Sequence, residues 1–329
     1  MDWQERSRRL AGGAKISRLA ECHVIIFGLG GVGSFLAEAL ARSGVGILSL
    51  VEYDLIAESN RNRQLPALSS TVGKPKIEVC ADRLRDINPE MDLRLFPLKA
   101  TSDNISAILG RGVGRVEAGT GAGAGAGTGA GAGTEAGTGA ASEWKTPDFI
   151  GDAIDDLQAK VSLIVAAKEF GIPIISSMGA GFRLEPEQLS VSDISKTHTC
   201  PLARKLRRAL KDAGIAKGVP VVWSKEKPKA TQSFCAFKTS ESFSASETSE
   251  SFCSLETSES IDAELVCPVG RDGISRPFEL DKSAEIDVRD RIAMFEGHDS
   301  RTGQSGPASM IFVPAVAGLM MASHIVRRL

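Results

Sequence analysis

IIFGLGGVGS, residues 25–34, is an apolar run that meets glycines at 28, 30, 31 and 33 and passes at once into a helical pattern. Such a run reads as a strand whose carboxyl end turns through a glycine loop into a helix start. Backbone N–H groups and the helix dipole there favour a phosphate. Gly28, Gly30 and Gly33 fall on the dinucleotide fingerprint, and Glu52 lies about twenty residues on, at the end of the next apolar run, where an acid can hold a ribose. By themselves these residues leave open a plain dinucleotide enzyme and a glycine turn with no ligand.

Working outward, short apolar runs alternate with helical patterns. HVIIFG, ILSLVE, LRLFPL, FIGDAI and IPIISS read as strands, while GSFLAEALARSG, KIEVCADRLRDI and LQAKVSLIVAAKEFG read as helices. The alternation predicts an α/β fold, a Rossmann-like doubly wound and mainly parallel sheet with helices on its faces. Ligands sit at the carboxyl ends of such strands, and Gly28, Glu52 and Asp155 all fall there. At 329 residues and 42% hydrophobic the chain can bury a substantial core. It reads as one domain, 1–329, carrying two low-complexity insertions. A Gly/Ala-rich stretch over 111–142 offers neither side chains to bury nor a helical period, and a Ser/Glu-rich stretch over 238–262 is too polar and repetitive to pack. Both are expected to be disordered. The apolar stretch within 307–329, MIFVPAVAGLMMASHIV, is shorter than the roughly twenty residues a bilayer crossing needs and predicts a core helix, with a membrane anchor as the alternative.

The stretch EYDLIAESNRNRQLPALSSTVGKPK, residues 52–76, is rich in groups that bind phosphate. Arg63 offers a planar fork of donors, Lys76 a point charge on a long stem, and Asn60 neutral donors between them. The bland alternative is a solvated charged loop, which fits Arg61 well. Hydride transfer gives no reason to carry this stretch.

In order and approximate spacing, GLGGVGS, the acid at Glu52, SNRNRQ, TVGKPK and GDAIDD resemble the ubiquitin-activating-enzyme-like superfamily of adenylyltransferases, the ThiF-type fold. The resemblance implies that ATP and Mg2+ are used. It gives Gly28, Gly30, Gly31, Gly33 and Glu52 to the nucleotide, Asn60, Arg63 and Lys76 to its phosphates, and Asp155 to magnesium. Glu52 stands where such proteins commonly use aspartate, which bears on geometry more than on chemistry.

RRLAGGAKI, RLRDINPE and MGAGFRLEPEQLSVSDISKTHTCPLARKLRRALK further resemble the tRNA threonylcarbamoyladenosine dehydratase branch, over most of residues 8–223. That implies adenylation of the carboxylate of the modified adenosine at tRNA position 37 and its ring closure, a homodimer in which Arg9 reaches the partner's ATP, and a sulfur-transfer-type helper protein. A surface arginine on a short helix is the plain alternative for Arg9. The six cysteines, 22, 80, 200, 235, 253 and 267, include no CxxC pair. Neither a zinc site nor a disulfide framework is therefore expected, and this favours the tRNA branch over relatives that activate sulfur carriers.

The net charge of −2 leaves no global signature of RNA binding, so any tRNA surface must be local. Arg204, Lys205, Arg207, Arg208 and Lys211 form the densest basic cluster, as an RNA face or as an ordinary solvated helix face. The four histidines show no ligand-like spacing. The charged start has no signal-peptide pattern, so the expected location is the cytoplasm, with mitochondrial or membrane-associated placement as the alternative. Two other functions remain open: an activator of a ubiquitin-like or sulfur-carrier protein, and a noncatalytic scaffold that binds partners through its Ser/Glu-rich insertion.

Overall fold

The computed structural model describes residues 2–111, 116–117, 144–229 and 308–329. The sheet is built around β1 (His23–Phe27), a five-residue strand buried along its whole length. It lies between β2 (Ile47–Val51) and β5 (Phe149–Asp152), parallel to both. Outward from β2 come β3 (Asp92–Phe96), parallel, and β4 (Val116–Glu117), antiparallel. Outward from β5 come β6 (Ile174–Ser177) and β8 (Pro220–Ser224), both parallel, and the antiparallel edge β7 (Leu189–Asp193). The order β4-β3-β2-β1-β5-β6-β8-β7 is that of a doubly wound α/β sheet. All five strands read from the sequence are present. β4, β7 and β8 complete the sheet.

β1 feeds both cores because successive strand side chains face opposite ways. Val24 and Ile26 pack with residues of α2 (Gly13–Glu21), α3 (Gly33–Arg42), α4 (Lys76–Ile87) and the carboxyl-terminal helix α8 (Phe312–Val326). Ile25 and Phe27 pack with α5 (Ile105–Arg111), α6 (Leu157–Glu169) and α7 (Pro201–Asp212) on the other face. A short α1 (Glu5–Ala11) precedes α2 and buries none of its residues.

α8 is packed protein-inward. Val313, Ala317, Met321 and Ile325 are buried, and Gly318 lets it approach α3 so closely that a Cβ there would stand 2.4 Å from Val32 O. Pro314 sits in its first turn, where a missing N–H breaks no helical bond. No described helix is long and apolar enough to cross a membrane.

By contacts the chain divides into Met1–Thr231 with Gly306–Leu329, which holds every described residue, and Gln232–Ser305. The insertion expected over 238–262 lies outside the described residues. So does that over 111–142, apart from Arg111, which ends α5, and β4. Sheet pairing thus begins inside the stretch read as an insertion, since an edge pair needs only backbone, which composition does not reveal.

Candidate functional site

The chain leaves β1 for β2 on one side and later adds β5 on the other, which opens a crevice at the carboxyl ends of β1 and β5. The glycine turn forms its floor. Gly28 has φ +88°, and a Cβ there would stand 2.8 Å from Ala153 O, in the loop after β5. At Gly33 a Cβ would fall 1.8 Å from Gly28 O, so α3 can start this close to β1 only with glycine. Gly30 lies beside Gln64 of the following loop, while a Cβ at Gly31 would meet Pro314 of α8 at 3.2 Å and the Arg63 stem at 3.5 Å.

Glu52 reaches back from the end of β2 into the turn. Its Oε2 accepts from Leu29 N–H at 2.8 Å, and its Oε1 from Tyr53 and Asp54 N–H at 2.9 and 3.0 Å. The glutamate side chain therefore braces the glycine turn, and Oε2, which accepts from one N–H only, retains acceptor capacity for a hydroxyl. Lys76, at the first position of α4, is buried beside it, with Nζ 3.6 Å from Glu52 Oε2 and 3.0 Å from Asp54 Oδ2.

The 59–64 loop covers the turn. Asn60 Oδ1 accepts from Ala57 N–H at 3.2 Å, which leaves its amino group as a donor. Arg63 is half-buried, its Nη1 donating to Ser59 O and Asn62 Oδ1 at 2.8 and 2.9 Å. It has no carboxylate partner among the described residues, and burial pushes its guanidinium below its ordinary value. Gln64 is buried next to Gly30, and its Oε1 has no partner. Asn62 Nδ2 donates to Ser309 O, which ties this loop to the segment before α8.

Asp155 is exposed on the opposite lip and makes no hydrogen bond among the described residues. Burial, and then the charges of Asp54, Asp155 and Glu52, push the Tyr53 phenol up, so these carboxylates share one electrostatic neighbourhood. The described residues hold no group of three His, Cys, Asp or Glu side chains able to chelate a metal. A lone free carboxylate does fit magnesium, which keeps its waters and binds through one or two carboxylates plus phosphates.

The structure thus brings Gly28, Gly30, Gly31, Gly33, Glu52, Asn60, Arg63, Lys76 and Asp155 to one crevice. Arg9 is not brought there: it lies exposed on α1, paired with Glu5. The basic cluster lies on α7, against the core of the other face. Arg204, Lys205, Arg208 and Lys211 are exposed there, none with a carboxylate partner among the described residues, while Arg207 is partly buried and donates to Thr197 Oγ1. Cys22, Cys80 and Cys200 are buried free thiols, and burial pushes Cys80 up to about 12. Cys235, Cys253 and Cys267 lie outside the described residues.

Sequence reasoning gave no role to Asp54 or Gln64, and it missed the fully buried pair Asp152 and Lys160 beneath Asp155. The available signal was a lysine at helical spacing from Leu163, Ile164 and Ala167, on the apolar side of α6.

A family model described as the ThiF family matches residues 4–329. The chain is similar to the tRNA threonylcarbamoyladenosine dehydratase of Bacillus subtilis, 30% identical over 324 residues, 98% of this chain and 92% of that one. With the Escherichia coli protein of the same name it is 33% identical over 251 residues, 72% of this chain and 81% of that one. The crystal structure of the Escherichia coli tRNA N6-threonylcarbamoyladenosine dehydratase in complex with ATP matches at a TM-score of 0.64 and 26% identity, over 99% of this chain and 94% of that one.

Proposed function

The chain belongs to the ThiF family, and from that premise we propose that it is an ATP-dependent tRNA threonylcarbamoyladenosine dehydratase. The observation that carries this reading is the crevice itself: Glu52, Arg63 and Lys76 on one lip, a free Asp155 on the other, and a glycine turn between them. Near full-length similarity to the Bacillus subtilis enzyme supports the choice of substrate.

A carboxylate is a poor electrophile until its oxygen becomes part of a good leaving group. In the reaction, the carboxylate of the threonylcarbamoyl substituent attacks the α-phosphate of ATP and pyrophosphate departs. An atom of the same substituent then attacks the activated carbonyl and closes the ring as the C–O bond to AMP breaks; AMP carries off the lost oxygen and the nucleophile's proton passes to solvent. No enzyme nucleophile is needed, which agrees with the burial of the three described thiols, Cys22, Cys80 and Cys200. The glycine turn holds phosphate on backbone N–H groups, Glu52 takes the ribose hydroxyls, and Asn60, Arg63 and Lys76 offset charge on the phosphates, so catalysis is positioning plus electrostatics. Asp155 would hold magnesium, which when bound neutralises phosphate charge.

The tRNA would lie along the basic face of α7, and two such faces in a homodimer would double the contact. Arg9 would serve the neighbouring protomer's ATP in that dimer, with a sulfur-transfer-type helper assisting turnover in the cytoplasm. The test is ATP–pyrophosphate exchange and AMP release with tRNA bearing threonylcarbamoyladenosine. Stimulation by that tRNA, with appearance of the cyclised nucleoside by mass spectrometry, is expected. Stimulation by a ubiquitin-like or sulfur-carrier protein instead, or ATP binding without turnover, overturns the reading.

A further inference from the structure

Lys160 and Asp152 are the most deeply buried ion pair among the described residues, both fully inaccessible, with Nζ 2.8 Å from Oδ2. Lys160 projects from α6, and its ammonium also donates to Ser176 Oγ at 3.1 Å and Ser177 O at 3.0 Å, at the end of β6. Ser176 Oγ donates to Asp152 Oδ2 at 2.6 Å. Stability alone does not account for such a group, since replacing a buried ion pair by apolar residues of similar volume is often neutral or stabilising.

What the pair does is fix a turn. The second oxygen of Asp152, Oδ1, accepts from Ile154 N–H at 3.1 Å, which sets the course of Ala153 and Ile154 as the chain leaves β5. Ala153 N–H in turn donates to Phe27 O at 2.9 Å, and Ala153 O is the atom that closes on Gly28. On the far side, Asp156 Oδ1 caps α6 by accepting from Ala159 N–H at 2.8 Å. Asp155 stands between these two anchors and has no tie of its own among the described residues. Its place over the glycine turn is set by its neighbours.

Building on the nucleotide reading above, we propose that Asp152 and Lys160 are positioning residues that set Asp155 across the crevice, and so determine how strongly magnesium and ATP bind together. Asp152 takes part through the backbone it holds, and Lys160 through Asp152; neither touches nucleotide. Residues that orient a metal-binding side chain typically change metal affinity about 10- to 100-fold when removed.

The experiment is calorimetric titration of ATP into the full chain with and without MgCl2, for wild type and for the double variant Asp152→Asn/Lys160→Met, which removes both charges together. The wild type should bind ATP more tightly with magnesium. The double variant should lose about tenfold of that magnesium effect, while its affinity for ATP without magnesium stays within about twofold. A magnesium effect equal to that of the wild type, or none in the wild type, overturns the proposal. Should the double variant fail to fold, Ser176→Ala keeps both charges and removes the 2.6 Å bond to Asp152 and the 3.1 Å bond from Lys160; it should weaken the magnesium effect in the same direction, and an unchanged effect overturns the proposal. Wild-type protein that couples magnesium to ATP yet turns over no tRNA refutes the assigned substrate, not the role of this pair.

Discussion

Lys76 Nζ is held 3.0 Å from Asp54 Oδ2, so the lysine expected to meet a phosphate is already engaged by a carboxylate. Glu52 stands on its other flank at 3.6 Å. An incoming triphosphate competes with Asp54 for this ammonium and is repelled by the same carboxylate. Asp54→Asn should therefore lower the KM for ATP about fivefold, equivalent to about 1 kcal/mol for a partly exposed pair. Lys76→Met should lower kcat/KM about 100-fold, as removal of one preorganised charge-stabilising donor does. Steady-state kinetics in ATP checks both; a raised KM in Asp54→Asn would mean that Asp54 places Lys76 rather than competing for it.

Gly33→Ala forces a Cβ to within 1.8 Å of Gly28 O, a backbone atom that cannot move without opening the turn. The substitution should abolish detectable ATP binding and destabilise the fold by about 1 to 3 kcal/mol, the range for overpacking a close contact. Calorimetric titration of ATP and urea denaturation measure the two effects separately.

His23 is fully buried, with Nδ1 2.6 Å from Lys145 O and Nε2 2.8 Å from Ser49 Oγ. A carbonyl only accepts, so Nδ1 carries the proton and Nε2 accepts from the serine. Burial pushes the imidazole down to about 4 from 6.5, and His324, also buried, moves likewise to about 4. Below pH 6.5 the unfolded chain takes up protons that the folded chain refuses until about pH 4. Stability contributed by the neutral forms is thus complete above pH 6.5 and declines as pH falls through that window, by about 1.4 kcal/mol per pH unit for each histidine. Urea denaturation from pH 7 to pH 4.5 should show this slope, and His23→Gln should flatten it by half.

On α7, Arg204, Lys205, Arg208 and Lys211 are exposed whereas Arg207 is tied to Thr197. Arg204→Glu/Arg208→Glu should weaken tRNA binding and reduce the slope of log affinity against log salt by about 2, roughly one per lost phosphate contact. Arg207→Glu should instead cost stability. Filter binding across a salt series checks this, and an unaltered slope in the double variant removes α7 from the RNA surface.

The strand-to-glycine-turn reading was legible at residues 25–34 because hydrophobic runs and glycine spacing are local properties. Lys76 and Arg63 could be picked out by their chemistry, yet the Asp54 contact could not, since Asp54 lies 22 residues earlier in the same stretch and only the folded loop sets the distance. Lys160 was overlooked because a lysine in a helix is ordinarily solvent-facing, as Lys168 of the same helix is; its helical spacing from Leu163, Ile164 and Ala167 hinted at the inner face, but only the fold shows Asp152 there to receive it. β7 falls in the segment that resembles the branch's loop, strand and basic helix, whereas β8 escaped notice although it is paired on both sides, because its apolar run is short and follows no helical or strand repeat of its own.

The amino-acid order by itself determined the α/β alternation, the glycine turn at Gly28 to Gly33 and the placing of Glu52 and Asp155 at strand ends, all of which follow from side-chain periodicity and backbone freedom within a few residues. Tertiary structure alone decided that Asp54 engages Lys76, that Asp152 and Lys160 anchor the lip bearing Asp155, and that α8 closes on α3 through Gly318. The first two join groups only 22 and 8 residues apart and the third joins residues nearly three hundred apart, yet in each the partner is chosen by how the loops and helices fold back on the sheet rather than by local periodicity.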